Sequence, residues 1–106
     1  AIHPPTQQEF SGYEIHIGQT QGPDTLRPFA QLNGRNEGAI SADGLVMGSY
    51  LHGMFSSDGF RHAFLKGLHI QSSAQAYSQT VDQTLNALAD HLEKHLDISA
   101  LLSSAR

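Results

Sequence analysis

The chain has 106 residues, of which 39% are apolar and 15% are charged, and its formal net charge is −4. This length suits one small domain with a single modest core. The 10 acidic side chains outnumber the 6 basic ones, which argues against nucleic acid as a partner, and no apolar run is long enough to span a membrane.

The chain contains no cysteine and 7 histidines. The lack of cysteine excludes disulfides, thiolate metal sites and a nucleophilic thiol of the chain's own. The first residues have neither the basic nor the hydrophobic part of a signal peptide, so we expect a cytoplasmic location. The histidines are the unusual feature of the composition, and they are the main candidates for metal binding or proton transfer.

The beginning of the chain predicts an irregular segment followed by a strand. Residues 1–11 are expected to form a lead-in without regular structure, because Pro4-Pro5 is followed by polar residues. Residues 12–18 alternate between apolar and polar side chains, which predicts a strand with Glu14 and His16 on one face.

Turn signals divide the next part of the chain. A loop is predicted over 19–28, and short strands are predicted over 29–32 and 38–40. The sequence SADG (41–44) lies between two apolar runs and predicts a hairpin over 38–51. The second arm of this hairpin is apolar on both faces, which predicts a buried strand.

The second half predicts helices. Ser56 or Ser57 is expected to cap the first helix, Thr80 with Gln83 fits a capping box for the second, and Asp97 is expected to cap a short last helix. Strands followed by helices indicate an α/β or α+β fold, and the pattern leaves both open. The second helix carries an apolar stripe of Val81, Leu85, Leu88, Ala89, Leu92 and Leu96.

Most of the histidines have no clear functional context. His91 and His95 lie four positions apart on the second predicted helix, a spacing that can chelate a metal. No third ligand can be named, so a helix face half exposed to water is favoured. His62 and His69 lie on or just after a surface helix and His3 lies in the lead-in, and none of these three is predicted to have a function.

Three other residues allow a functional interpretation beside a structural one. Glu14 and His16 form either a polar edge with a local carboxylate–imidazole pair or an orienting carboxylate near an active site, and spacing alone favours the first. His52 ends an apolar run and precedes Gly53, which would leave room for a substrate at the tip of a strand. Local sequence nevertheless favours a core histidine over a proton-transfer group at this position.

Two separated motifs, GYEIHIG (12–18) and GSYLHGMF (48–55), occur together with the helix DGFRHAFL (58–65) and the tail LADHLEKHLD (88–97). Over nearly everything after residue 11, the chain resembles the C-terminal part of the cobyric acid synthase family. These enzymes amidate side-chain carboxylates of a corrin ring in cobalamin biosynthesis. The resemblance implies an α/β fold, the C-terminal portion of a class I glutamine amidotransferase-like domain, with strands and a hairpin followed by helices.

The resemblance implies that His52 is the catalytic histidine that handles protons for a cysteine nucleophile. Histidine exchanges a proton near neutral pH, so it can hold a cysteine as thiolate and then protonate the departing ammonia. Residues 1–106 lack the cysteine, so we expect them to be a C-terminal segment of the amidotransferase domain that is inactive alone. Many class I enzymes complete a triad with a glutamate two residues after the histidine. Met54 occupies that position here, which implies a Cys–His dyad or a carboxylate from elsewhere, with Glu14 as the one candidate.

The resemblance also implies substrates and cofactors for the complete enzyme. These are glutamine and a corrin, with ATP and Mg²⁺ used by an N-terminal synthetase domain, and no cofactor or metal site is expected in this segment. A sheet cut at the segment boundary would expose a strand edge, which predicts a homodimer of the isolated chain. Two alternatives stay open: a related amidotransferase, such as cobyrinic acid a,c-diamide synthase or a cell-wall amidase, and a non-catalytic His-rich metal-binding or interaction module.

Overall fold

The computed structural model describes residues 1–73 and 75–105. These residues belong to two compact units, Ala1–Ser73 and Ala74–Arg106. The first unit contains all the strands described and one α-helix, and the second contains two α-helices. The mixed α/β class predicted from the sequence is therefore confirmed, with strands preceding helices.

The strands of the first unit are short and pair antiparallel. They form a four-stranded sheet in the order β2-β1-β4-β5 and two separate ribbons, β3-β8 and β6-β7. Among the described residues the strands are β1 Ile2–His3, β2 Gln8–Glu9, β3 Tyr13–Glu14, β4 Ala30–Leu32, β5 Arg35–Glu37, β6 Ala39–Ile40, β7 Met47–Gly48 and β8 Leu51–His52.

The lead-in predicted over 1–11 is wrong, because β1 and β2 form a hairpin there. Ile2 pairs with Glu9, and Ile2 also pairs with Gln31 of β4, so the segment is part of the largest sheet. The carbonyl of His3 accepts the backbone N–H of Gln7 at 2.8 Å and closes the turn. Two-residue strands around a proline-rich turn are too short to show an alternating pattern, so no strand was predicted there.

The SADG hairpin is confirmed, but the burial predicted for its second arm is wrong. β6 pairs with β7, and the N–H of Ser41 donates to the carbonyl of Val46 at 2.9 Å across the turn. Leu45 and Val46 are 83% and 69% exposed. Leu51, at the end of this arm, is buried. In the apolar run of this second arm, the buried strand that was predicted is therefore found only at the end, at Leu51.

The first unit differs from the sequence prediction at two further places. The strand predicted over 12–18 is limited to β3, since Ile15 and Ile17 are exposed and lie outside any strand. Strand β5, which pairs with β4 around Asn33-Gly34, was not predicted. Both turn residues have positive φ, 47° and 82°, as an Asn-Gly hairpin turn requires.

The core of the first unit is aromatic and includes a histidine. His3 is only 2% exposed, and its ring centroid lies 4.8 Å from that of Phe29 and 5.2 Å from that of Phe60. Its Nδ1 is 2.8 Å from the hydroxyl of Thr6, and burial lowers the pKa of the imidazole. His3 is thus a core residue. The buried apolar residues beside it are Phe10, Phe29, Ala30, Leu51 and Phe60.

Helix α1, Asp58–Gly67, begins after Ser57, one of the two residues predicted to cap it. The Ser57 side chain makes no capping bond to the helix. Its hydroxyl instead accepts the backbone N–H of Ser11 at 3.0 Å, which ties the start of α1 to the segment before β3. Arg61 donates to Asp58 at 2.6 Å on the first turn of the helix.

The second unit contains α2, Tyr77–His95, and α3, Ile98–Ser104. The capping box predicted at Thr80 is wrong, because Thr80 lies within α2 and its hydroxyl donates to the carbonyl of Ala76 at 3.0 Å. The cap predicted at Asp97 is confirmed, since its carboxylate accepts the N–H of Ala100 at 2.9 Å. Within the described ranges, no helix combines the length and the apolar character needed to cross a membrane.

Candidate functional site

The two sequence motifs meet in the β3-β8 ribbon. Tyr13 lies directly opposite His52, and Glu14 lies directly opposite Leu51. Side chains of directly opposed residues share a face of an antiparallel pair, and neighbouring pairs alternate between faces. One face therefore carries Tyr13 and His52, and the other carries Glu14 and the buried Leu51.

His52 lies at the end of β8, as the sequence predicted, and its side chain is exposed. Its ring is stacked with that of Tyr13, with centroids 5.4 Å apart and an interplanar angle of 17°. Gly53 follows with φ 78°, a left-handed conformation that favours glycine. The chain therefore turns directly after the imidazole, which is exposed.

Gly12 allows the backbones of the two motifs to approach closely. A Cβ atom at this position would lie 2.8 Å from the carbonyl oxygen of His52, a distance that no methyl group tolerates. The glycine that opens the first motif is therefore required for the backbone position of His52. This role of Gly12 was not predicted from the sequence, because it depends on how closely the backbone of β8 approaches.

The carboxylate of Glu14 binds Arg35 and His16 on the other face. Its Oε2 accepts from Arg35 Nη2 at 2.6 Å, and its Oε1 accepts from His16 Nε2 at 2.8 Å. The bonds to Arg35 first and His16 second hold the pKa of Glu14 below its ordinary value. The local carboxylate–imidazole pair predicted from the sequence is confirmed. The alternative, in which Glu14 orients His52, is disfavoured because the two side chains lie on opposite faces.

Both ring nitrogens of His16 lie at hydrogen-bond distance from an acceptor. Nδ1 lies 2.6 Å from the carbonyl oxygen of Gly18, and Nε2 lies 2.8 Å from the Glu14 carboxylate. Both partners can only accept, so the geometry fits the imidazolium. The Gly18 carbonyl, followed by Glu14, raises the pKa of His16. The ring stacks on Tyr50 with a centroid distance of 4.0 Å and an interplanar angle of 12°.

Glu37 fixes the segment that leads into β8. It is 5% exposed, and its carboxylate accepts the backbone N–H of Tyr50 at 2.6 Å and the hydroxyl of Ser49 at 2.8 Å. The Ser49 oxygen in turn accepts the N–H of Leu51 at 3.1 Å. The sequence analysis missed Glu37, because nothing in its local pattern distinguishes a buried acceptor from a surface carboxylate.

An open cleft of about 540 Å³ lies on the Glu14 face of the ribbon. His52 is not among its lining residues, so this cleft does not contain the predicted catalytic residue. Its polar lining includes Glu14, His16, Arg35, Glu37, Ser49 and Tyr50.

The remaining histidines lie away from this ribbon in sequence. His91 and His95 are neighbours on α2, with ring centroids 4.5 Å apart. In the part of the chain that the structure describes, no group of three or more His, Cys, Asp or Glu side chains could hold a metal ion. His62 lies within α1, and His69 follows that helix with φ 59°.

Comparison with known proteins places the chain in a family. Residues 1–60 match the CobB/CobQ-like glutamine amidotransferase domain. The cobyric acid synthase of Bradyrhizobium diazoefficiens is 59% identical over 106 residues, which are 100% of this chain and 22% of that protein. The cobyric acid synthase of Cereibacter sphaeroides is 59% identical over 104 residues, 98% of this chain and 22% of that protein.

A more distant relative, the cobyric acid synthase of Brucella canis, is 48% identical over 98 residues, 92% of this chain and 20% of that protein. The chain therefore spans about a fifth of the length of the curated relatives it matches. The likeness to the Bradyrhizobium protein covers the whole chain, including the first eleven residues, for which no resemblance was predicted. No solved structure gives a significant match. The chain belongs to the CobB/CobQ-like glutamine amidotransferase domain family.

Proposed function

We propose that this chain is the C-terminal segment of the glutamine amidotransferase domain of a cobyric acid synthase. The observation that carries the proposal is the 59% identity to such a synthase over all 106 residues. The complete protein would amidate corrin carboxylates with nitrogen from glutamine. In this proposal the fold is the C-terminal portion of a class I glutamine amidotransferase-like domain, and the nucleophile and the synthetase domain lie outside residues 1–106.

His52 is the proposed catalytic residue. It takes the proton of a cysteine thiol supplied by another part of the protein, and the sulfur then attacks the carboxamide carbon of glutamine. As the C–N bond breaks, the imidazolium returns the proton to the departing ammonia. Water then hydrolyses the glutamyl thioester to glutamate. The position of His52 at a strand end, exposed and followed by Gly53 with φ 78°, supports this role.

ATP and Mg²⁺ are proposed for the complete protein and for no residue of this segment. Among the described residues, no cluster of three or more His, Cys, Asp or Glu side chains offers a metal site. Nor does the sequence contain a glycine-rich phosphate-binding motif. We propose that ATP and Mg²⁺ act in the part of the protein outside residues 1–106.

The experiment is glutaminase activity of the full-length synthase carrying His52→Asn. We expect glutamine hydrolysis to fall by roughly 100-fold or more, as for loss of a general acid–base group. Amidation with free ammonia should continue, because that step does not need the imidazole. Glutamine turnover near the wild-type rate would exclude the assignment.

The matched control is His69→Asn, the same substitution at another exposed histidine of the first unit. His69 has φ 59°, and asparagine tolerates this left-handed conformation better than other non-glycine residues do. The fold should therefore accept this change, and glutaminase activity should stay at the wild-type level. A similar loss in both variants would point to a general effect of losing an imidazole.

We also propose that the isolated chain self-associates through a sheet edge. The outermost strands of the four-stranded sheet are β2 and β5, and unpaired edges are templates for pairing with a second copy. Light scattering of residues 1–106 should show a dimer whose fraction rises with concentration. A monodisperse monomer at high concentration would contradict this proposal.

A further inference from the structure

The imidazole of His52 is held by an aromatic ring. In the described ranges, the side chain of His52 makes neither a hydrogen bond nor an ion pair, and its ring contact is the stack with Tyr13. Centroids 5.4 Å apart at an interplanar angle of 17° correspond to an offset stack, a preferred geometry for aromatic pairs. The orientation of the ring is thus set by the face of Tyr13.

The carboxylates near this ribbon are already engaged elsewhere. Glu14 binds Arg35 and His16 on the opposite face. Glu37 is buried and binds the backbone N–H of Tyr50 and the hydroxyl of Ser49. A general base must be aimed at its proton partner to be effective, and an exposed imidazole without a partner samples several rotamers. Neither Glu14 nor Glu37 is therefore available to orient His52.

We propose that Tyr13 is the positioning residue of His52, and that it acts through the face of its ring. This inference rests on the proposed function, in which His52 is the catalytic residue. The stack performs the orienting task for which a carboxylate is used in a Ser-His-Asp triad. It leaves both ring nitrogens of His52 free for substrate and nucleophile.

The backbone around the stack supports the same role. Tyr13 and His52 are directly opposed in the β3-β8 ladder, so their Cα positions are fixed relative to each other. A Cβ atom on Gly53 would lie 3.5 Å from Cε1 of Tyr13, so the tyrosine ring also packs over the turn that follows the imidazole. Tyr13 is 59% exposed, which means that its ring adds little to the core.

The test compares Tyr13→Phe with Tyr13→Leu in the full-length synthase. Phe keeps the ring face, so we expect a glutaminase kcat within about threefold of wild type. Leu removes the stack, and we expect kcat to fall by roughly 10- to 100-fold with little change in KM, as for a misaligned catalytic group. Ammonia-dependent amidation should be unchanged in both variants. An equal loss in Phe and Leu variants would overturn the proposal, because it would assign the role to the hydroxyl.

A spectroscopic measurement separates this inference from the proposed function. In NMR spectra of the full-length synthase, the ring protons of His52 should be shifted upfield by the Tyr13 ring current, and Tyr13→Leu should remove that shift while Tyr13→Phe keeps it. If His52→Asn abolishes glutaminase activity but Tyr13→Leu changes neither kcat nor the His52 resonances, the positioning role fails alone. If His52→Asn leaves glutaminase activity intact, the proposed function fails.

The matched control is Tyr77→Leu. Tyr77 is 54% exposed, close to the 59% of Tyr13, and it lies at the start of α2 in the other unit. The same chemical change at a similarly exposed tyrosine should leave kcat and the His52 resonances as in wild type. A loss of kcat equal to that of Tyr13→Leu would contradict a specific role of the stack.

Discussion

His16 and Glu14 form a charge-assisted hydrogen bond, with 2.8 Å between Nε2 and Oε1. The second ring proton of His16 goes to the Gly18 carbonyl at 2.6 Å, so deprotonation of the ring must cost one of these two bonds. The ring also lies on Tyr50 of the second motif. Protonated His16 therefore joins the loop after β3 to the segment before β8.

The pH dependence of this network has a defined sign. The pKa of His16 is raised in the folded chain by the Gly18 carbonyl and Glu14. Its contribution to stability is fully present below the ordinary histidine pKa and is lost as the pH rises through the folded value. Histidine NMR titration should show His16 titrating above the ordinary histidine value, and Glu14→Gln should lower its pKa. The control is Glu9→Gln, an exposed carboxylate on β2; an equal shift there would exclude a specific effect of Glu14.

His3 should make the first unit sensitive to acid in the opposite sense. Burial lowers its pKa in the folded chain, so the unfolded chain binds the proton more readily. The free energy of unfolding should fall as the pH drops below the ordinary histidine pKa, and the loss should be complete at the folded pKa.

His3→Leu removes this proton-binding group while keeping an apolar side chain among Phe29 and Phe60. Urea unfolding at pH 7 and pH 5 should therefore show a smaller acid-induced loss of stability in the variant than in wild type. An identical acid-induced loss in both proteins would show that His3 is protonated in the folded chain.

Gly38 should be the least tolerant of three glycines to alanine. It has φ 70°, and a Cβ there would lie 2.7 Å from the Cβ of Phe29 and closer still to the carbonyl oxygen of Gly48. Gly38→Ala should cost about 2–5 kcal/mol in the free energy of unfolding, from the left-handed backbone together with overpacking. Chemical denaturation provides the measurement.

Two other glycines separate the cost of the left-handed backbone at Gly38 from the cost of overpacking there. Gly44 has φ 73° but open space around a Cβ, so Gly44→Ala should cost about 1–2 kcal/mol from the backbone alone. Gly48 has neither feature, and Gly48→Ala should stay within about 0.5 kcal/mol of wild type. Equal costs at Gly38 and Gly44 would show that the neighbours of Gly38 move aside freely.

Phe60 should be the most costly core side chain to truncate. It is fully buried, and its ring centroid lies 4.7 Å from that of Phe10 and 5.5 Å from that of Phe55. Phe60→Ala should lower the free energy of unfolding by about 3–5 kcal/mol. Phe55 is 46% exposed, so Phe55→Ala is the control with a smaller loss; the reverse order would contradict the packing described.

The sequence predicted the features that depend on local chemistry. The SADG turn, the helix cap at Asp97 and the pairing of Glu14 with His16 are each set by neighbouring residues, and each is present. The position of His52 at a strand end followed by a glycine was also predicted correctly.

The sequence did not predict features that depend on distant residues. His3 becomes a core side chain only because Phe29 and Phe60 surround it, and Glu37 becomes a buried acceptor only because Tyr50 and Ser49 approach it. The exposure of Leu45 and Val46, and the stack of Tyr13 on His52, also follow from tertiary structure. The Asn33-Gly34 turn is different, because its local signal was present and was overlooked.

The pairing of β3 with β8 has a consequence for the order of folding. The bond from Ser11 to Ser57 that flanks this ribbon joins residues 46 positions apart, whereas the β4-β5 and β6-β7 hairpins close over short turns. Contacts between distant residues cost more chain entropy and form later than local hairpins. We therefore expect the hairpins to form first, and the ribbon with Tyr13 and His52 to assemble last and to open first on unfolding.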